Sequence, residues 1–70
     1  MLELSWRLIS RSGEIRRQET VTTPSLPAIW RELASVADRL GRPGEVLHVM
    51  DPQGEVIIRV GVATARSAVR

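Results

Sequence analysis

Only one stretch of this chain has helical period, and stretches with strand period flank it on both sides. In "SLPAIWRELASVADRLGRPG", Leu26, Ile29, Trp30, Leu33, Val36, Ala37 and Leu40 recur at the three-and-four spacing that lines one face of a helix. Arg31, Glu32, Ser35, Asp38 and Arg39 take the other side. Ser25 is placed as an N-cap, Pro27 falls in the first turn where a missing N–H is harmless, and Gly41 followed by Pro43 stops the helix. One amphipathic helix covers one face of one sheet. The sheet's other face is then left open or given to a partner.

The strands read as follows. Leu2, Leu4, Trp6 and Leu8 alternate with Glu3, Ser5 and Arg7, which puts one row on a core and the other outside. Ser12-Gly13 is expected to turn the chain, and "EIRRQETVTT" returns as a second strand. A two-residue turn sets Ile15, Arg17, Glu19 and Val21 on the Leu/Trp face, where charges suit only a sheet edge. Beyond the helix, "LHVMDPQGEVIIRV" holds two apolar runs around the turn signal Asp51-Pro52-Gln53-Gly54, so a second hairpin is expected over Glu45–Met50 and Glu55–Val62. A four-residue loop pairs Met50 with Glu55, Val49 with Val56, His48 with Ile57 and Leu47 with Ile58. That register directs Leu47, Val49, Val56, Ile58 and Val60 to the helix and leaves Val46, His48, Met50, Ile57 and Arg59 on the far side. A shorter loop with a bulge instead shifts the register and turns His48 and Met50 inward. No internal repeat is visible, and residues 63–70 read as a tail that frays or forms a helical turn. The expected fold is α+β: one two-layer ββαββ domain over residues 1–62, with a four-stranded antiparallel sheet in the order 2-1-3-4 and one helix on one face.

Composition narrows the chemistry. At 70 residues the core is small, and self-association is the one remaining aid to stability, because the chain has no cysteine for disulfides or thiolate metal sites. His48 is the sole imidazole, and strand geometry points it away from the nearby Asp51, so neither a catalytic triad nor a zinc centre is expected. "GRPGE" follows a helix and precedes a strand, the reverse of the order that sets a helix N-terminus on a phosphate. No cofactor is expected, and no enzyme. All ten basic residues are arginine, yet the net charge is only +2, less than a general nucleic-acid binder carries. Both aromatic residues, Trp6 and Trp30, sit on apolar rows, so neither offers a ring for base stacking. The alternating first residues are unlike a signal peptide and no stretch has the length of a membrane span, which makes a cytoplasmic protein the expectation.

The segment "VMDPQGEVIIRVGV" resembles a recurring close in small, uncharacterised bacterial proteins of ββαββ layout, in which an aspartate and a glycine flank the last turn before an apolar-Arg-Val strand. Asp51, Gly54, Arg59 and Val60 carry the match. That group has no assigned activity to transfer. The layout is also similar to that of some small phage-encoded inhibitors of bacterial defence complexes, which implies protein binding through a sheet without a catalytic site.

These readings converge on the far face of the sheet. Arg7, Ile9, Arg16, Val46, His48, Met50, Ile57 and Arg59 form the candidate partner-binding set, mixing arginine with Met and β-branched residues as interfaces do. The expected function is a non-enzymatic interaction module that dimerises or docks on an acidic protein. The alternative is weak nucleic-acid binding through arginine contacts to phosphate.

Overall fold

The computed structural model describes residues 1–68. Its elements run β1 (Leu2–Ile9), β2 (Ile15–Thr23), α1 (Ile29–Leu40), β3 (Val46–Met50), β4 (Val56–Gly61) and α2 (Val62–Ser67). The strands form one antiparallel sheet in the order β2-β1-β3-β4, as expected, and both helices lie on the same side of it. The smallest extent of the molecule, 16 Å, is that of two layers.

The core lies between the sheet and α1. Leu4, Trp6 and Leu8 from β1 and Leu47 and Val49 from β3 meet Ile29, Leu33, Val36 and Ala37 of the helix in one buried cluster. Leu33 is fully buried at the centre of the stripe. The indole N–H of Trp6 is buried with no hydrogen-bond partner among the described residues.

The start of α1 differs from expectation. Ile29, Trp30 and Arg31 donate to the carbonyls of Leu26, Pro27 and Ala28, so a tight i-to-i+3 turn precedes the helix proper. Ala28 is the N-cap residue and no side chain caps it. Ser25 instead accepts a bond from Thr23 Oγ1 at its carbonyl, and Leu26 is exposed. At the other end Gly41 donates to Ala37 and closes the helix as predicted. The segment after β4 is structured as α2 up to Ser67. It packs on α1, β3 and β4, with Val62 and Ala65 buried; residues 69 and 70 lie outside the described residues.

The two hairpins share one backbone plan. In the first, Ser10 donates to the Glu14 carbonyl, Gly13 donates back to Ser10, and Gly13 has φ +91°. In the second, Asp51 donates to Glu55, Gly54 donates back to Asp51, and Gly54 has φ +87°. Neither is the expected turn: the three residues between the closing pair end in a left-handed glycine, a geometry that leads into a bulge. The bulges also correspond. Leu8 pairs with Arg17 and Ile9 with Ile15, leaving Arg16 unpaired; Val49 pairs with Ile58 and Met50 with Val56, leaving Ile57 unpaired. A repeat that the hydropathy pattern does not reveal is therefore present in the backbone. A local two-fold axis through the Arg7–His48 pair exchanges β1 with β3, for it carries the Ile9–Val46 pair onto Met50–Ser5.

Candidate functional site

Strand periodicity sorts the side chains of the far face into rows that cross the sheet. The central row is Gln18, Arg7, His48 and Arg59, each opposite its neighbour on the adjoining strand. On one side lie Ile15, Ile9 and Val46, with Gly61 at the end; on the other lie Thr20, Ser5, Met50 and Val56. The core residues Leu8 and Val49 point to the opposite face, and both helices are on their side. Nothing among the described residues covers the central row.

The central row is cationic. Directly opposite residues on antiparallel strands hold their Cβ atoms about 4.5–5.5 Å apart, so Arg7 and Arg59 flank His48 from both sides. Arg7 Nε donates to Gln18 Oε1 at 3.2 Å, a neutral acceptor that leaves its charge uncompensated. His48 is half-buried, and its pKa is pushed below the ordinary imidazole value, first by desolvation and then by the charges of Arg59 and Arg7. The acids of this region, Glu3 and Asp51, border the same hollow as Arg7, but among the described residues neither makes an ion pair with the row. Glu3 is at the far end of β1, and Asp51 Oδ1 is engaged by the backbone N–H groups of Gln53 and Glu55 at 3.0 and 2.9 Å. Among the described residues no three His, Cys, Asp or Glu side chains gather as a metal site.

Five candidate residues stand on this face as expected: Arg7, Ile9, Val46, His48 and Arg59. Three others differ. Arg16 turns toward the helix layer, where its Nε and Nη2 bond the Glu45 carboxylate at 2.6 and 2.7 Å and its Nη2 bonds the Leu40 carbonyl at 2.7 Å. The first hairpin's bulge changes the parity of the strand at this point, so Arg16 leaves the face and Ile15 joins it beside Ile9. Glu45, buried and also receiving the Arg42 N–H at 2.8 Å, has its carboxyl held low, chiefly by the Arg16 hydrogen bonds. That low value is a stabilising contribution at neutral pH, lost as pH falls through it.

Met50 has the expected orientation but is only 2% exposed. It lies between Ser5 and Val56 and borders a polar hollow of about 180 Å³ that Pro52 of the following turn also lines. It supports the face from beneath and offers a partner little surface. Ile57 does not pair with His48. It is the unpaired bulge residue at the β4 edge, 43% exposed. The expected β4 register is displaced because Asp51 holds the turn to three residues, so Arg59 takes the place opposite His48. Val56, expected on the helix side, is opposite Met50 instead. The bulge alternative is present without its expected consequence, for it lies in β4 and leaves His48 outward.

Gln18, Ile15 and Val56 are members of the face that the sequence reading missed. The parallel Gly-Glu-apolar triplets at Gly13-Glu14-Ile15 and Gly54-Glu55-Val56 were the available signal. On the other layer, Pro27, Trp30 and Thr64 border an open groove of about 560 Å³ between the helices, with no titratable acid or imidazole in its wall among the described residues. Among the described residues no helix is long and apolar enough to cross a membrane.

Comparison of the chain with protein-family models, with curated proteins and with solved structures finds no match.

Proposed function

We propose that this chain is a non-enzymatic protein-interaction module whose open sheet face docks on an acidic protein surface. The observation that carries the reading is the Arg7–His48–Arg59 row, cationic, with no ion-paired acid and no covering helix among the described residues. Ile9, Ile15 and Val46 on one side of the row supply apolar area to desolvate, and a charged row bordered by an apolar one suits a protein better than bare phosphate. The same row disfavours self-association through this face. Two copies packed face to face with their central rows in register set arginine against arginine, and like charges in contact are costly.

Binding to two probes of equal charge tests the reading: an acidic peptide of alternating glutamate and leucine, and a single-stranded DNA oligonucleotide. The peptide is expected to bind more tightly at moderate salt and to perturb the amides of Arg7, His48 and Arg59. Tighter binding of the DNA, falling steeply with salt, assigns the face to nucleic acid instead. A dimer in sedimentation that survives Arg7→Glu and blocks the peptide assigns it to self-association.

A further inference from the structure

We infer that docking on this face is proton-linked: a partner carboxylate sits over His48 between Arg7 and Arg59, and the imidazole takes up a proton as the contact forms. The inference rests on the docking reading above and adds its regulation.

The geometry places His48 at the centre of the row, on the inner strand β3, with Arg7 opposite on β1 and Arg59 opposite on β4. These two guanidiniums are the charged groups that face it from the strands packed against β3. Along β3 its far-face neighbours are the uncharged Val46 and Met50, and beyond Arg7 the row continues to the neutral Gln18. α1 and α2 pack on the opposite face. Among the described residues no carboxylate is therefore opposite His48 to stabilise its cationic form, and in the free protein its proton affinity is lowered.

An arriving carboxylate reverses that balance. It neutralises part of the field of both arginines, and it is itself an opposite charge within contact distance of the imidazole. Both effects favour the imidazolium. By linkage, whatever raises the proton affinity of His48 on binding makes binding tighter when His48 is protonated. The partner's carboxylates are already ionised down to about pH 5. The affinity should accordingly rise as pH falls through the interval between the bound and free values of His48, and level off at either side.

His48 is the sole histidine, so its ring protons report the titration of one group without assignment ambiguity. The experiment follows the His48 ring resonances by NMR from pH 8 to pH 5, with the protein free and then saturated with polyglutamate, while backbone amides locate the contact. The expected result is a bound pKa higher than the free one by about one unit, matched by a roughly tenfold gain in affinity between the two plateaus. His48→Gln should flatten the pH dependence. If polyglutamate perturbs the amides of Arg7 and Arg59 while the His48 titration stays where it was, proton linkage is overturned and the docking reading stands. If polyglutamate leaves these amides unperturbed, the docking reading falls and the linkage with it.

Discussion

The β1–β2 and β3–β4 hairpins have the same turn, the same left-handed glycine and the same bulge, yet they carry opposite kinds of side chain. Where β2 has Arg17 and Glu19 on its helix-side face, β4 has Ile58 and Val60 at the corresponding places. The backbone does not account for this difference, since both strands are sheet edges of the same plan. The cover does. α2 folds back from the end of β4 onto α1, β3 and β4, and Val60 lies in one cluster with Val62 and Ala65. Among the described residues no helix shields β2 in this way, so Arg17 and Glu19 stay exposed and pair with each other at 3.1 Å. Turn chemistry sets the skeleton, and the neighbouring layer decides whether a position takes an apolar or a charged residue.

Exchanging corresponding residues tests that statement most severely. Val60→Glu gives β4 the residue that β2 has at Glu19, but beneath α2, where the charge has no partner. A loss of about 3–5 kcal/mol in urea denaturation is expected, or failure to fold. Glu19→Val, the reverse exchange on the uncovered strand, should change stability by less than about 0.5 kcal/mol. Equal costs for the two substitutions would mean that α2 does not shield β4 and that the contrast has another origin.

The shared skeleton can be tested separately. Gly13 and Gly54 both have positive φ, and a Cβ added at either meets nothing within 4 Å. The cost of alanine is therefore conformational alone, about 1–2 kcal/mol at each site. Gly13→Ala and Gly54→Ala should match within the error of chemical denaturation. A disparity greater than about 1 kcal/mol would show that one turn is held by its surroundings and that the correspondence of the hairpins is superficial.

What the sequence disclosed follows the range of the interactions involved. The helix stripe was legible because burial of Ile29, Leu33, Val36 and Ala37 obeys helical period, and the β1 and β3 faces because alternation alone fixes them. The strand order followed from two hairpins joined by one helix. The start of α1 was not legible, since Ser25-Leu26-Pro27 reads as a cap and first turn while the chain uses those residues in a tighter turn. Nor was the parity of the turn-side ends of β2 and β4, although Arg17, Glu19, Val21, Ile58 and Val60 take the helix side and Arg59 the far face as expected. Each bulge shifts every residue between it and the turn to the other face, so the unpaired position in β2 removed Arg16 from the candidate site and brought in Ile15, and the one in β4 brought in Val56. The repeat escaped for a related reason: it lies in hydrogen bonds closed by Ser10 and Asp51, unlike residues that accept equivalent backbone N–H bonds from Glu14 and Glu55.

The smallest effect is expected where the hairpins differ in the use of an identical backbone position. Arg16 and Ile57 are the two unpaired bulge residues. Arg16 reaches the helix layer and ties β2 to Glu45 and the end of α1, whereas Ile57 remains 43% exposed at the margin of the open face. An exposed edge position tolerates a charge, so Ile57→Asp should cost no more than about 0.5 kcal/mol. The same substitution puts a negative charge close to Arg59 and at the edge of a surface proposed to receive acidic partners. Binding of the glutamate–leucine peptide should weaken by a few-fold, with the helical signal and the unfolding midpoint nearly unchanged. A stability loss above about 2 kcal/mol would instead make Ile57 a core residue. In that case β4 would lack the bulge assigned to it, Arg59 would no longer stand opposite His48, and the cationic row would lose one of its two guanidiniums.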